Sequence, residues 1–410
     1  MGKIAVIGAG ASGMIAAGFA ARRGYQVTVI ERNARPGRKL MITGKGRCNL
    51  TNDCDADEFI ANVPSGSRFL YSAVSAFGPR DTMAFFEGLG VKLKVERGKR
   101  VFPVSDKASD IVDALAGFVK SAGCMTVTGR VSGIVTENGR AAGVRFEDGR
   151  VIAADAVIIC TGGLSYPLTG STGDGYGLAR SVCHTVTPLR PSLVPLETME
   201  IWPTSLQGLA LKNVTLTVTD KKRGSAVYEE LGELLFTHFG VSGPLVLSAS
   251  AHMREMQPGR YNCSIDLKPG LDRELLDTRL QRDLLLFSNH DFINSLNKLL
   301  PAKLIPVIVS LTGIAPHLKA NQLTKDMRRV LINLLKNLSF DIKGFRPVEE
   351  AIVTSGGIKT SEVNPKTMGS KLIKGLYFSG EILDVDAYTG GFNLQIAFST
   401  GYAAGNAAGC

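Results

Sequence analysis

Three glycines near the start of the chain have the spacing of a phosphate-binding loop. They are Gly8, Gly10 and Gly13. The segment before them, 3–7, has the composition of a buried parallel strand, and Glu31 ends a second segment of this kind. Such glycines permit a tight turn, leave room for a pyrophosphate and let a helix pack on the strand, while the carboxylate accepts hydrogen bonds from a ribose. The pattern predicts a dinucleotide-binding βαβ unit; a tight turn without a ligand is the alternative.

A second glycine-rich stretch, 37–52, combines basic side chains with small residues. Arg38 and Lys39 stand near its start, and TGKGRCN follows at 43–49. The region 33–52 has neither a helical nor a strand period, which predicts an ordered loop. Basic groups followed by glycines suit an anion beside a planar ring. A mobile basic loop is the alternative.

A third motif stands where a predicted strand ends in the middle of the chain. Thr161-Gly162-Gly163 follows the apolar segment 156–160, and Thr172-Gly173-Asp174-Gly175 comes shortly afterwards. Ligands of open α/β sheets bind at the carboxyl edge of the strands. Glycines at that edge therefore predict a close approach of backbone and cofactor.

The fourth motif lies near the end of the sequence. Gly380-Glu381 follows the strand-like segment 376–379, and then come Asp384 and the run 390–395 (GGFNLQ). An acid at a strand end suits a ribityl chain. A glycine pair before a helix directs N–H groups at a ring carbonyl that gains negative charge on reduction. A simple turn is the alternative for the glycine pair alone.

Hydrophobic periodicity predicts the elements that position these motifs. Residues 13–23 and 110–121 are predicted to be helices, and 27–31 to be a strand. Alternating runs with Asn-Gly and Asp-Gly turns predict a small antiparallel meander that returns to the main sheet at 156–160. The runs are 124–128, 130–136, 141–147 and 150–159.

The character of the sequence changes twice, which predicts an α/β protein of three domains. A Rossmann-like domain is built from both chain ends, 1–189 and 350–410. Strand patterns predict a β-rich inserted domain over 190–270 and 339–349, and helical patterns predict a helical insertion over 271–338. Leucines at helical spacing open the insertion: Leu275, Leu276, Leu280, Leu284 and Leu285.

The chain of 410 residues has a net charge of +10 that is unevenly distributed. Residues 1–50, which hold the phosphate-binding motifs, contain nine basic residues and one acid. Residues 298–346 contain nine basic residues and two acids without such a motif. A solvated helical face explains the second cluster, and the alternative is a polyanionic substrate such as RNA.

The cysteines and apolar segments bear on location. Seven cysteines without a CxxC motif argue against a disulfide framework or a structural metal site, so no metal and a reducing cytoplasm are predicted. Glycines interrupt the first apolar stretch, which argues against a signal peptide. No apolar run approaches the roughly 20 residues that a membrane helix requires.

The longer motifs resemble one family over almost the whole chain. PGRKLMITGKGRCNLTN, TGGLSYPLTGSTGDGY, ELLFTHFGVSGP and GEILDVDAYTGGFNLQIAFSTG are similar to motifs of the bacterial YhiN-type flavoproteins, which include BaiN-like and aminoacetone oxidase-like proteins. The resemblance implies an FAD-binding domain made of both chain ends, with a β-rich domain and a helical insertion. It departs at Lys45, where the family pattern usually has glycine.

The resemblance also implies which residues bind FAD. Backbone near Val131 would contact the adenine. The full implied set is Gly8, Gly10, Ala11, Ser12, Gly13, Glu31, Arg32, Arg38, Lys39, Thr43, Gly44, Arg47, Cys48, Asn49, Val131, Thr161, Gly162, Gly163, Asp174, Gly380, Glu381, Asp384, Gly391, Phe392, Asn393 and Leu394.

Three functions follow from the resemblance and the motifs. The first is NAD(P)H-driven reduction of an activated C=C bond, in a small molecule or in a uracil of ribosomal RNA. The second is oxidation of an amine by O2, and the third is an FAD-bearing interaction protein without catalysis. One GxGxxG motif argues against a separate NAD(P)H domain, so the nicotinamide would visit transiently. The oligomeric state is left open.

Reduction of a C=C bond also needs a proton donor. Cys48 is the first candidate because its motif belongs to the loop implied to lie beside the flavin; a small packing residue is the alternative. Tyr388, next to the glycine pair, is the second candidate. His238 would be a substrate contact or a hydrogen-bonded structural histidine. If Cys48 is the acid, Cys48→Ala should keep FAD but lose substrate-dependent reoxidation.

Overall fold

The computed structural model describes residues 2–409, which divide into two compact units. The first unit runs to Ser192 and resumes at Pro347, so it contains both chain ends, and the second spans Leu193–Arg346. The sequence-based boundaries of three domains stay a prediction.

The strands follow one another along both units. They are β1 (Lys3–Ile7), β2 (Gln26–Glu31), β3 (Thr51–Asn52), β4 (Leu93–Glu96), β5 (Arg100–Pro103), β6 (Met125–Thr128), β7 (Val131–Glu137), β8 (Arg140–Phe146), β9 (Val151–Ala153), β10 (Ala156–Ile159), β11 (Arg190–Ser192), β12 (Leu196–Thr198), β13 (Ala210–Asp220), β14 (Ser225–Thr237), β15 (Gly240–Ser242), β16 (Tyr261–Asp266), β17 (Leu338–Phe345), β18 (Val353–Ser355) and β19 (Leu376–Phe378).

The helices alternate with these strands. They are α1 (Ala11–Arg22), α2 (Arg38–Ile42), α3 (Ala56–Ala61), α4 (Ser67–Ala76), α5 (Pro79–Gly88), α6 (Ala108–Ser121), α7 (Asp174–Ser181), α8 (Trp202–Ser205), α9 (Pro244–Ser250), α10 (Arg273–Leu286), α11 (Phe292–Ser295), α12 (Ile305–Thr312), α13 (Lys325–Lys336) and α14 (Phe392–Ala407).

The centre of the first unit is a parallel sheet in the order β19-β10-β1-β2-β6. Val6 of β1 pairs in register with Ile158 of β10 and Val29 of β2. The inner strands are buried along almost their whole length, which explains their continuous apolar runs. The carboxyl ends of these strands lie at one edge, so the glycine motifs that follow β1, β10 and β19 lie there. The predicted Rossmann-like fold is confirmed.

The last helix of the first unit packs directly on the first. A Cβ on Gly401 of α14 would lie 2.5 Å from the Ser12 carbonyl oxygen, and one on Gly405 would lie 2.5 Å from that of Ala16. Only glycine permits so close an approach of two helix backbones. The C-terminal helix therefore covers α1 and completes the nucleotide-binding domain.

Two local predictions for the first unit need correction. The run 124–128 was expected in the antiparallel meander, but β6 pairs with β2 in the parallel sheet, and the meander consists of β7, β8 and β9. The region 33–52 was expected to be a loop, yet it contains α2 and a 3₁₀ turn at Thr43–Gly46. Its helical pieces are too short to establish a recognisable period.

The second unit combines a closed barrel with helices. The barrel order is β12-β15-β14-β13-β16-β17, and α10 to α13 lie between β16 and β17 in sequence. Leu276, Leu280 and Leu284 are buried in the core that barrel and helices share. Leu275 and Leu285, predicted to belong to the same stripe, are exposed because the buried face of α10 is narrower than the pattern suggested. Among residues 2–409, no helix has the length and apolar character needed to span a membrane.

Candidate functional site

The first glycine motif forms the turn from β1 into α1. Gly8 has φ +101°, and a Cβ there would lie 2.6 Å from the Cys160 carbonyl oxygen. A Cβ on Gly13 would overlap the Gly8 carbonyl oxygen. Gly10 differs, because a Cβ there would meet no atom within 4 Å. Two glycines thus serve packing, while Gly10 faces open space where the motif predicts a pyrophosphate.

Glu31 lies beside this turn and is almost fully buried. Its Oε2 accepts a hydrogen bond from Ala9 N at 2.9 Å, and its Oε1 accepts from Asn33 N and Nδ2 at 2.8 Å each. These bonds compensate the burial of the carboxylate. They also fix it between the ends of β1 and β2, where the sequence predicts the ribose.

A polar network joins two of the other motifs. Lys39 Nζ donates to Glu381 Oε2 at 2.5 Å and to Ser165 Oγ at 2.7 Å. The other oxygen, Glu381 Oε1, accepts from Thr354 N at 2.9 Å and from Ser165 Oγ at 3.0 Å. The network fixes both charges at the carboxyl edge of the sheet. Ser165 and Thr354 are not among the residues that the resemblance implies, although Ser165 stands in its motif TGGLSYPLTGSTGDGY and Thr354 precedes a glycine pair in TSGGI.

The loop before β3 contacts the C-terminal glycine pair. Asn52 Nδ2 donates to the Gly390 carbonyl at 3.1 Å. With the Asn49 amide turned so that both of its atoms have suitable partners, Asn49 Oδ1 accepts from Gly391 N at 2.9 Å. Thr51 Oγ1 donates to Gln395 Oε1 at 2.6 Å. The two stretches that the sequence assigns to the flavin ring therefore lie together.

The remaining C-terminal residues turn the chain into α14. Asn393 Nδ2 donates to the carbonyls of Ala387 and Tyr388 at 2.7 and 3.2 Å. Phe392 is buried and packs edge-on against Phe59, while Leu394 is half-buried. The backbone N–H of Asp384 donates to the Ile358 carbonyl at 3.0 Å. These contacts fix the start of α14.

Two basic residues of the stretch 37–52 have protein partners. Arg47 pairs with Glu96 and Asp106, and its guanidinium lies 4.2 Å from the centre of the Phe102 ring. The hydrogen bonds that Arg47 donates to these carboxylates raise its pKa. Arg38 donates to Asn33 Oδ1 at 3.0 Å. In this arrangement Arg47 ties the loop to the β4–β5 hairpin.

Left-handed backbone shapes the turn at residues 44–48. Gly44, Lys45 and Cys48 have φ values of +56°, +59° and +58°. This conformation is costly for residues with a Cβ, which explains why glycine suits position 45. The Lys45 side chain is exposed.

Cys48 has 0% exposure, and burial raises the pKa of its thiol to about 12. A thiol with so high a pKa stays protonated but gives up its proton reluctantly. Cys48 therefore packs inside the protein, and its role as the proton donor stays a prediction. Tyr388 is half-buried, and the Tyr388 N–H donates to the Asn62 carbonyl at 3.1 Å.

The glycine pair after β10 packs against the polar network. A Cβ on Gly163 would lie 2.7 Å from Glu381 Oε1, and one on Gly162 would lie 3.1 Å from Ser171 Oγ. Thr161 Oγ1 is buried and has no hydrogen-bond partner among the described residues. A buried hydroxyl without a partner is costly. The unpaired Thr161 hydroxyl is therefore suited to bind a ligand at this edge of the sheet.

Three other predicted site residues have different surroundings. Asp174 opens α7, and its carboxylate accepts hydrogen bonds from Arg32 and Arg130. Val131 is buried at the start of β7. His238, in the second unit, is exposed, and its ring lies edge-on to Phe239.

The residues at this edge fit an FAD molecule. Gly10 leaves a cradle that a side chain would fill, and Thr161 offers an unpaired buried hydroxyl. Glu31 stands at the end of β2, and Glu381, the partner of Lys39, follows the end of β19. The residues that would hold FAD are those of the four glycine motifs.

Sequence reasoning missed Asp386, which is 2% exposed. Its Oδ2 accepts from Ser192 Oγ at 2.8 Å, and its Oδ1 has no hydrogen-bond partner among the described residues. Burial raises the pKa of Asp386, and the charge of Asp384 adds to this rise. Hydrogen bonds with Ser192 and Ser355 and the charge of Arg190 lower the pKa and oppose the effect of burial only in part. The sequence feature that could have identified Asp386 is its place as the second acid of the motif LDVDAY.

Asp386→Asn should make the protein more stable at alkaline than at acid pH relative to wild type. A raised pKa in the folded state means that folding stability is lost as the pH rises from the unfolded-state pKa through the folded one. The Tm of the variant minus the Tm of the wild type should be smallest near about pH 4 and should increase toward about pH 8. Thermal unfolding followed by circular dichroism at several pH values measures it. A difference that does not change with pH would show that Asp386 keeps its ordinary pKa.

Comparison with known proteins agrees with this architecture. The family model described as the HI0933-like protein Rossmann domain matches residues 2–407. A 3-dehydro-bile acid delta(4,6)-reductase of Clostridium scindens is 32% identical over 418 residues, covering 100% of this chain and 99% of the relative. A ribosomal RNA dihydrouridine synthase of Escherichia coli is 32% identical over 399 residues, covering 97% of this chain and 96% of the relative.

Solved structures resemble the chain in fold. A 3-ketosteroid delta1-dehydrogenase from Sterolibacterium denitrificans superposes with a TM-score of 0.54 at 13% identity and 99% coverage of both chains. At these low identities the likeness concerns the fold. By its match to the family model and its identity to full-length relatives, the chain belongs to the HI0933-like Rossmann-domain family of FAD-dependent oxidoreductases.

Proposed function

We propose that the protein binds FAD at the carboxyl edge of the parallel sheet and uses NAD(P)H to reduce an activated C=C bond. When bound, FAD supplies the hydride, and the protein selects the substrate and its pose. The meeting of the Thr43–Asn49 loop with the Gly390–Gly391 turn is the observation that carries the proposal. It joins the two stretches assigned to the ring: the Asn52 side chain donates to the Gly390 carbonyl at 3.1 Å, and Asn49 Oδ1 accepts from Gly391 N once its amide is turned.

The names of two relatives support this reaction class. One is a delta(4,6)-reductase of 3-dehydro-bile acids, and another is a ribosomal RNA dihydrouridine synthase. Both names describe the saturation of a C=C bond, since a dihydrouridine is a uridine with that bond reduced. A small molecule with a polarised double bond is the substrate class we favour.

Ribosomal RNA is the second candidate substrate, because relatives from Escherichia coli and Haemophilus influenzae are named for it. The basic segment 298–346 offers this candidate less support than its charge suggests. Six of its basic side chains pair with acids in the second unit: Lys319, Arg328, Arg329, Lys336, Lys343 and Arg346. Ion pairing lowers the charge available to phosphates.

Filter binding with ribosomal RNA at two salt concentrations tests the RNA candidate. Contacts with phosphates release counterions. If the basic segment binds RNA, the affinity for RNA must therefore fall steeply as the salt concentration rises. We expect weak binding. Tight, salt-sensitive binding to the purified full chain would instead favour RNA as the substrate.

Tyr388 is our candidate for the proton donor. It adjoins the glycine pair, and the Asn62 carbonyl and the Asn393 side chain hold its backbone. Tyr388→Phe removes only the hydroxyl, so FAD should remain bound while kcat falls by about 100-fold or more. Steady-state turnover and the flavin spectrum of each variant measure the two effects.

Cys48→Ala is the matched control, because it removes one side-chain atom from the Thr43–Asn49 loop, which contacts the Gly390–Gly391 turn, and it exposes no new polar group. We expect it to keep both FAD and turnover, with a loss of stability of about 1 kcal/mol. Loss of turnover in Cys48→Ala together with unchanged turnover in Tyr388→Phe would return the proton donor to Cys48.

A further inference from the structure

Asp174 joins three segments that are far apart in sequence. Arg130 Nε and Nη2 each donate to its carboxylate at 2.8 Å, one to each oxygen. Arg32 Nη1 donates to Oδ2 at 3.1 Å, and Thr172 Oγ1 donates to Oδ1 at 3.0 Å. Arg32 also donates to Thr172 Oγ1 at 2.6 Å. Both carboxylate oxygens therefore accept hydrogen bonds from side chains of the protein.

The two arginines come from the carboxyl edge of the sheet. Arg32 directly follows Glu31 at the end of β2, and Arg130 directly precedes Val131 at the start of β7. Glu31 is the predicted ribose contact and Val131 the predicted adenine contact. The cluster thus ties together the residues next to both, with α7 as the third point.

The contact between Arg130 and Asp174 is stronger than an ordinary surface ion pair. The Arg130 fork binds both oxygens of one carboxylate, and such bidentate pairs are more stable and more directional than single contacts. The side chains of Asp174, Arg32 and Arg130 are 21%, 34% and 43% exposed, so solvent screens them only in part. The hydrogen bonds from Arg130 lower the pKa of Asp174, which keeps it ionised at neutral pH.

We propose that Arg32, Arg130 and Asp174 form a clamp at the adenosine end of the FAD site, which slows the release of FAD. The inference rests on the proposed FAD binding. Asp174 is then a positioning residue that acts through the arginines, and Arg130 belongs to the cofactor site although no glycine motif includes it. Because the clamp works as a unit, cutting it at either end has the same effect as cutting both ends.

The rate of FAD release tests the clamp in the full-length protein. Apoprotein is reloaded with FAD, and release after dilution is followed by the rise in flavin fluorescence. The variants are Asp174→Asn, Arg130→Gln and the double variant. Each single substitution should raise the release rate about 10-fold, which corresponds to the loss of a charge-assisted contact, and the double variant should match either single one.

Two controls separate the clamp from a general loss of surface charge. Asp148→Asn breaks the exposed Asp148–Arg150 pair of the neighbouring meander, which is also an arginine–carboxylate contact, at 2.7 Å. Glu147→Gln breaks the second ion pair of Arg130 at 2.8 Å. Both should release FAD at the wild-type rate. Thermal unfolding of each apoprotein monitors folding independently.

Three results would overturn the clamp. One is a double variant whose effect is the product of the single effects, since the residues would then act independently. Another is faster release in Asp174→Asn but not in Arg130→Gln, which would make Asp174 a direct ligand. The third is unchanged release in both. Wild-type apoprotein that takes up no FAD would refute the proposed function itself, and the variants would not be needed to show it.

Discussion

Gly10→Val is expected to leave the protein folded and to lower its affinity for FAD by at least about 100-fold, or roughly 3 kcal/mol. Gly10 has φ −85°, which valine adopts without strain, and a Cβ there meets no atom within 4 Å. The substitution therefore costs the apoprotein little. It fills the space in which the motif predicts the pyrophosphate, and it blocks the approach of phosphate to the N–H groups at the start of α1.

Gly117→Val is the matched control for this prediction. Gly117 is exposed in α6, and a Cβ there also meets no atom within 4 Å. Both variants are reloaded with FAD and compared by flavin absorbance per chain and by Tm. Wild-type affinity in Gly10→Val would show that the pyrophosphate does not lie against this turn.

Gly391→Ala is expected to destabilise the protein strongly. Gly391 has φ +99°, and a Cβ there would overlap the Thr51 carbonyl oxygen. Left-handed strain and overpacking together should lower the free energy of unfolding by about 2–5 kcal/mol. The variant should also lose FAD, because the turn it distorts holds Asn49 and the start of α14.

Gly88→Ala is the control for backbone substitution in the same unit, since a Cβ on Gly88 meets no atom within 4 Å and its φ is not positive. Urea unfolding of both apoproteins gives the free energies. A Gly391→Ala protein as stable as Gly88→Ala would mean that β3 and the C-terminal turn are not in the contact described above.

Much of the nucleotide-binding fold was readable from the sequence, because it depends on local signals. The β1–α1–β2 unit follows from glycine spacing and from runs of buried residues. The turn at Asn138-Gly139, with φ values of +48° and +73°, is the conformation that Asn-Gly favours, so the β7–β8 hairpin of the meander was predicted correctly. The packing of α14 on α1 needed more than local pattern, although the similar glycine-rich style of the two ends suggested it.

Other features depended on contacts between distant residues and escaped prediction. β6 has an alternating pattern like the meander strands, and only its register with β2 assigns it to the parallel sheet. The basic charge of 298–346 looked available because the sequence does not show that Asp291, Asp277 and Asp266 lie beside it. The same reason hid the partners of Asp174 and the burial of Cys48. Residue types predicted the location of the site better than its individual contacts.

Anaerobic mixing of the FAD-loaded full-length protein with NADH or NADPH tests the central claim most directly. We predict that one of the two nucleotides bleaches the oxidised-flavin absorbance, and that a small molecule with a polarised C=C bond then restores it while its double bond is saturated. Flavin that no pyridine nucleotide bleaches, but that amines reduce with release of peroxide once O2 is admitted, would contradict the proposed reductase and indicate an amine oxidase.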